Sequence, residues 1–302
     1  MASETEAPLA PGLYLVATPI GNLGDITLRA LDVLKRVDRI ACEDTRQTQK
    51  LLNHFQIATP TESLHEHNER ERTAPLIESL KSGARIAVVT DAGMPGISDP
   101  GTWLTAAAID AGIPVIPIPG ANAALSALVA SGMPTAEFHY LGFLPEKVGQ
   151  RRTRLEQIAA EPTSASRTLI FYEAPHRILD TLADLEAVFG AELRIVLARE
   201  LTKLHEEFLR GSVAEVRHKL SSRDRMRGEM TLLVQAPSAS QSQTGQVSSA
   251  ERISNRIALM QTESGLDEKD ALKLLAREMN RSKSELYREL QRERASYRPR
   301  TR

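Results

Sequence analysis

Three apolar runs in the first half of the chain each break into a loop crowded with glycine and proline. Residues 13–17 lead into TPIGNLGD (18–25), residues 86–89 into DAGMPGISDPG (91–101), and residues 113–118 into PIPGANA (117–123). Glycine reaches backbone angles closed to other residues, while proline fixes φ and gives up a donor. A loop rich in both is stiff, and it offers backbone rather than side chains to whatever approaches. Between the runs, apolar residues recur at helical spacing, as at Leu28, Leu31, Val33, Leu34 and Val37. This alternation predicts an α/β fold on an open, mostly parallel sheet. Loops at the carboxyl ends of its strands converge on one edge, where ligands bind. The expected ligand is small and held by backbone more than by charge.

A further strand is expected at 39–42, and helices at 27–37, 48–55, 74–82, 102–111 and 123–130. A second alternating block predicts strands at 138–143, 168–172, 194–198, 206–211 and 230–234, with helices at 151–160, 177–189 and 213–220. The expected organisation is a disordered terminus over 1–11 and α/β domains over 12–130 and 131–236. A Ser/Gln-rich linker over 237–250 and a basic helical appendix over 251–302 follow. In the appendix Asp267 caps a helix over 268–279. Ser282 with Glu285 opens a second from Lys283, giving a helix-turn-helix hairpin. The arginine-rich tail, including Arg288 and Arg292, suits phosphate contacts.

Charge and composition exclude several classes. With 38 Lys+Arg against 39 Asp+Glu the chain is no polycation, so nucleic-acid binding must come from local patches. Lys147, Arg151, Arg152 and Arg154 form one, and Arg223, Arg225 and Arg227 another. The single cysteine, Cys42, rules out an intrachain disulfide and a cysteine-cluster metal site. The amino terminus lacks the basic and apolar regions of a secretion signal. No apolar run is long enough to span a membrane, so a cytoplasmic protein is expected. No Walker loop, G-x-G-x-x-G or G-x-S-x-G is present, and covalent catalysis is not expected.

The tract HEHNE (65–69) holds metal-ligand residue types, but neighbouring loop positions seldom converge on one centre. It is read as substrate contact or solvated loop, and no metal is expected. Charged groups also gather just after strands in EDTR (43–46), FYEAPHR (171–177) and RELTKLHEE (199–207), where they are candidates for a substrate face.

In their order along the chain, these loops resemble one family. LYLVATPIGNLGDIT, CEDTRQTQKLL, HEHNE, VTDAGMPGISDPG, PIPGANAALSAL, GFLPEKVGQRR, FYEAPHRI, ARELTKLHEEF and GEMTLLV are similar to motifs of the ribosomal RNA small-subunit methyltransferase I family. That family is a branch of the tetrapyrrole-methylase (class III) fold. The resemblance spans residues 13–234 and continues in the helical tail. Met94 departs from it, standing where the family usually has threonine, a change that a backbone-lined pocket should tolerate.

The resemblance implies a two-domain α/β homodimer with S-adenosylmethionine in the cleft between domains. It also implies methyl transfer to the ribose 2′-hydroxyl of a decoding-centre cytidine in 16S ribosomal RNA. By motif position Pro19, Asp91, Ala92, Gly93, Met94, Ile97, Ala121 and Asn122 line the cofactor from one domain. Phe171, Tyr172, Glu173, Glu229, Met230 and Thr231 close it from the other. Transfer from a sulfonium needs mostly positioning, plus help for the departing hydroxyl proton. Glu43 or His176 is expected near that hydroxyl, with Arg46, Arg177 and Lys203 holding phosphates and Lys203 also counted in the catalytic set. Lys147, Arg151, Arg152, Arg288 and Arg292 extend the RNA contact.

Two other readings compete. One is a methylase acting on a corrinoid or porphyrin carbon, which the arginine-rich patches disfavour. The other is a noncatalytic RNA-binding or ribosome-assembly protein. A KH-type G-x-x-G loop lies between helices, whereas the loops at Gly21 and Gly93 follow strands.

Overall fold

A computed structural model of the chain describes residues 8–161, 167–223, 225–236 and, further on, 257, 260–261, 267–278, 283, 286–288 and 290–291. The chain divides into two compact units, Met1–Ser238 and Ala239–Arg302.

The first unit holds two five-stranded sheets. Strands β1 (Gly12–Val16), β2 (Arg39–Cys42), β3 (Thr61–Ser63), β4 (Arg85–Val89) and β5 (Val115–Ile118) run parallel in the order β3-β2-β4-β1-β5. Because β1 lies between β4 and β5, the three Gly/Pro loops leave adjacent strands at one edge. Helices α1 (Leu28–Arg36) and α2 (Thr45–His54) bury Val33, Leu34 and Leu52 on one face. On the other, α3 (Glu69–Lys81) and α4 (Thr102–Asp110) bury Leu76, Leu80 and Leu104. Each such side chain contributes about 1.5–3 kcal/mol of transfer free energy. Burial on both faces is why these strands read as unbroken apolar runs.

Local signals set the helix ends. The Thr27 hydroxyl accepts from the Ala30 N–H at 3.1 Å and starts α1. Lys35 and Arg36 occupy its last turn, where the helix dipole favours cations. In this first block, two helices begin earlier than their spacing predicts. Asp44 caps α2, so it starts at Thr45, and α3 starts at Glu69 with Pro75 inside it rather than in its first turn. Strand β3 was not expected, because three half-buried edge residues leave no pattern.

The second sheet comprises β6 (Phe138–Phe143), β7 (Arg167–Glu173), β8 (Arg194–Arg199), β9 (Glu207–Ser212) and β10 (Met230–Ala236), in the order β6-β7-β10-β8-β9. Here β6 and β7 pair in parallel, while the other three pairings are antiparallel. The sheet is therefore mixed: β9 follows β8 without a helix between them, and β10 inserts between β7 and β8. Helices α6 (Val148–Ala160), α7 (Ile178–Phe189) and α8 (Val213–Ser221) cover one face over Leu155, Phe171, Leu182, Val216 and Leu232. A reciprocal Ser212–Glu215 capping box opens α8.

Helix α5 (Ala123–Ser131) covers the opposite face, packing Ala124, Ala127 and Leu128 with Ile170, Val196 and Leu233. The last helix of the first block is thus buried against the second sheet, which is why the two sheets form one unit. At the amino terminus, Leu9 packs on the first core and the Tyr14 hydroxyl donates to the Ala10 carbonyl at 2.6 Å.

In the second unit α9 (Glu268–Glu278) starts where expected, with Asp267 accepting from the Asp270 N–H at 2.7 Å. Ile257, Leu272, Leu275, Leu286 and Leu290 bury together within that unit. Residues 1–7, the linker 237–250 and the capping pattern at 282 and 285 lie outside the described residues. Among the described residues no helix is long and apolar enough to cross a membrane.

Candidate active site

A cavity of about 330 Å³ opens where the carboxyl edge of the first sheet faces the ends of β7 and β10. That is the size of a small-molecule site. Ile20, Ala92, Gly93, Met94, Ile97, Ser98, Asp99, Asn122 and Ala123 form its first wall. Phe143, Tyr172, Glu173, Ala174, Pro175, Leu201, Glu229, Met230 and Thr231 form the second.

Backbone geometry holds the first wall. Thr18 and Gly93 exchange N–H···O bonds of 2.9 and 3.1 Å, tying the loop after β1 to the loop after β4. Gly93 has φ +83°, a conformation that strains any residue with a Cβ. At the far end of that loop, one oxygen of the buried Glu69 accepts from the N–H groups of Gly101, Trp103 and Leu104 at 3.0, 2.9 and 3.1 Å. The HEHNE tract therefore supplies an anion to the start of α4, where unpaired N–H groups favour one. Among the described residues no three His, Cys, Asp or Glu side chains gather to hold a metal. Ser98 sits at φ +62°, and its hydroxyl lies 2.6 Å from the Tyr140 hydroxyl on β6, bridging the two sheets. Strain of this kind persists where the surroundings enforce it.

Paired charges hold the second wall. Buried Glu173 accepts from the Thr181 hydroxyl at 2.6 Å and the Ala174 N–H at 2.9 Å, and pairs with Arg177 at 3.2 Å. Arg177 also donates to the Leu144 carbonyl at 2.7 Å. The Lys203 ammonium lies 2.9 Å from Glu200 and 3.2 Å from Glu229. Its stem crosses Gly21 so closely that a Cβ there would stand 2.5 Å from Lys203 Cγ. Leu201 reaches the cavity from between Glu200 and Thr202, both at positive φ.

The description "Tetrapyrrole (Corrin/Porphyrin) Methylases" matches the chain over residues 12–217. A ribosomal RNA small subunit methyltransferase I of Halalkalibacterium halodurans is 55% identical over 223 residues, covering 74% of this chain and 75% of that one. Its counterpart from Vibrio cholerae is 52% identical over 226 residues, covering 74% and 77%. The chain belongs to the ribosomal RNA small subunit methyltransferase I family. Among solved structures, uroporphyrin-III C-methyltransferase of Thermus thermophilus complexed with S-adenosyl homocysteine shares the fold at 16% identity and TM-score 0.52, covering 74% of this chain and 96% of that one. Diphthine synthase shares it at TM-score 0.54 and 16% identity, covering 74% and 89%.

In this family member the cavity gathers Ala92, Gly93, Met94, Ile97, Asn122, Tyr172, Glu173, Glu229, Met230 and Thr231 from the expected cofactor set. Pro19, Asp91, Ala121 and Phe171 do not line it. Side chains alternate along β7, so Tyr172 faces the cavity while Phe171 is sealed in the core on the opposite face. Asp91 leaves the sheet edge exposed, and Ala121 packs against the core around α5. Eight lining residues were not anticipated: Ile20, Ser98, Asp99, Ala123, Phe143, Ala174, Pro175 and Leu201. Ser98 and Asp99 belong to the very loop singled out for its glycines, and Ala174 and Pro175 to FYEAPHR.

Glu43, His176 and Lys203, the expected catalytic set, stand outside the cavity lining. Glu43 is half-buried beside the Asp91 backbone, and burial pushes its carboxyl up. His176 is exposed.

Several expected RNA contacts are internal braces. Arg151 is buried against Asp184 at 2.7 Å, Arg177 and Lys203 are engaged as above, and Arg223 grips Glu207. Arg152 shares Asp184 at 2.5 Å yet keeps 53% of its side chain exposed. Arg46 is exposed and holds the Asp44 carboxyl down to about 2. Lys147 and Arg288 are exposed, and Arg292 lies outside the described residues.

Proposed function

We propose that the chain transfers the methyl group of S-adenosylmethionine to the ribose 2′-oxygen of a decoding-centre cytidine in 16S ribosomal RNA, acting on the small ribosomal subunit in the cytoplasm as a homodimer. The observation that carries this reading is kinship over most of the chain with relatives named ribosomal RNA small subunit methyltransferase I.

The lining fits the methyl donor. Ile20, Met94, Ile97, Phe143, Leu201 and Met230 offer apolar contact for a purine and a thioether chain, while the loop at Gly93 admits close backbone approach. Gly93, Met94, Asn122, Tyr172, Met230 and Thr231 would hold the cofactor. When bound, it supplies a methyl group already activated on a sulfonium, so positioning provides most of the acceleration. The stiff first wall orients the reactants, and Tyr172 with Phe143 screens the site from water.

Exposed Lys147, Arg152, Arg225 and Arg227 are available to phosphates. Such contacts position RNA without reading its sequence, so the shape of the folded RNA selects the target. Exposed Leu125 and Val129 on α5 support self-association, which sedimentation would measure.

A corrinoid or porphyrin carbon methylase shares the fold, but the solved examples are far more distant from this chain than the ribosomal RNA relatives. A purely RNA-binding role leaves a cavity of this size without a use. The test is methyl transfer from labelled S-adenosylmethionine to undermodified small subunits, with deproteinised RNA and a tetrapyrrole precursor in parallel. Label in 2′-O-methylcytidine is expected. Label in the tetrapyrrole alone overturns the proposal.

A further inference from the structure

Methyl transfer to a ribose hydroxyl needs a group to take its proton, and the cavity narrows the choice. Three carboxylates line it: Asp99, Glu173 and Glu229. Glu173 is saturated by Thr181, Ala174 and Arg177, and Glu229 is paired with Lys203. Asp99 has no hydrogen bond or ion pair among the described residues. It is half-buried and follows Ser98, whose left-handed backbone and bond to Tyr140 fix the chain where Asp99 enters the cavity. Glu43 and Asp91, both outside the lining, act on its charge; Tyr140 and Tyr172 lie near enough to feel that charge, and His65 acts on Glu43.

We propose that Asp99 is the general base of the reaction. This inference rests on the methyl-transfer reading. The 2′-hydroxyl proton passes to the Asp99 carboxylate as the oxygen lone pair bonds to the methyl carbon. The carbon–sulfur pair returns to sulfur, so sulfonium and carboxylate become neutral thioether and neutral carboxyl. Asp99 then releases its proton to water. Burial, with Glu43 and Asp91 adding to it, pushes the Asp99 carboxyl up to about 7, which suits a base working near neutral pH. A base acts ionised, so kcat rises with pH through that value and then levels.

Wild type, D99N and E43Q are compared by three readouts: calorimetric binding of S-adenosylmethionine, NMR titration of the Asp99 carboxyl, and kcat against pH on small subunits. In D99N cofactor binding is retained, kcat falls about 10²–10⁴-fold, and the resonance titrating near neutrality disappears. In E43Q that titration and the acid limb of kcat move together to lower pH. D99N with wild-type kcat and pH profile overturns the inference, as does an Asp99 carboxyl titrating in the ordinary carboxylate range. Loss of cofactor binding in D99N makes Asp99 structural and also overturns it. Wild type that binds cofactor but methylates no ribose sinks the underlying reading, and the inference with it.

Discussion

The two walls of the cavity are built on opposite plans. The first is stiff through chain conformation: Gly93 and Ser98 at positive φ, the Thr18–Gly93 bridge, and the Gly101 end pinned by Glu69. Its lining carboxylate, Asp99, and the neighbouring Glu43 and Asp91 outside the lining form no ion pair among the described residues, and the carboxyls of all three are pushed up, chiefly by desolvation. The second is stiff through paired charges: Glu173 with Arg177, Lys203 between Glu200 and Glu229, and Glu207 between Arg199 and Arg223. There the carboxyls of Glu200 and Glu207 are held down by hydrogen bonds from Lys203 and Arg223. A wall of backbone presents itself to a ligand directly, whereas many charges on the other wall are spent on each other.

The contrast breaks most severely in the second half at its buried ion pair. Arg151→Ala leaves Asp184 without its buried partner and should cost about 3–5 kcal/mol in urea unfolding. Next comes the brace of the first wall. Glu69→Ala strips a shared acceptor from three N–H groups and should cost about 1–3 kcal/mol. It should also weaken S-adenosylmethionine binding in calorimetry, with Glu69→Gln milder in both.

The pH response sharpens the comparison. A carboxyl raised in the folded state stabilises it at low pH, and that stability is lost as pH rises through about 7 for Asp99. D99N should therefore melt about 2–4 °C above wild type at pH 8, as expected for a gain of roughly 1 kcal/mol, and no higher at pH 4. Glu207 has the opposite sign. Lowered to about 2 by Arg223 and Arg199, it contributes stability above the ordinary glutamate range that is lost as pH falls through about 2. The smallest effect belongs to Arg152→Ala. With its side chain half-exposed, stability should change by less than about 1 kcal/mol, while RNA binding weakens at low salt.

The same contrast explains what the sequence made legible. Strands β1, β4 and β10 are buried on both faces and stand out as apolar runs, and Thr27 and Asp267 mark helix starts by their caps. The first wall was readable because a cluster like DAGMPGISDPG has few uses other than close approach. The antiparallel pairing of the second sheet was not, since the pattern within a strand does not name its neighbour. Arg151 and Arg177 look like phosphate ligands in the sequence, which shows charge and not burial. Asp99 does not stand out in the sequence because its significance lies in lacking a partner, which only the folded arrangement reveals.

The most direct test of the account is a crystal structure of the protein with S-adenosylhomocysteine. The ligand is expected between Gly93 on one wall and Thr231 on the other, with Asp99 facing the space where the methyl acceptor enters. A ligand bound at another surface with this cavity empty, or lodged here with Asp99 turned away into solvent, would contradict it.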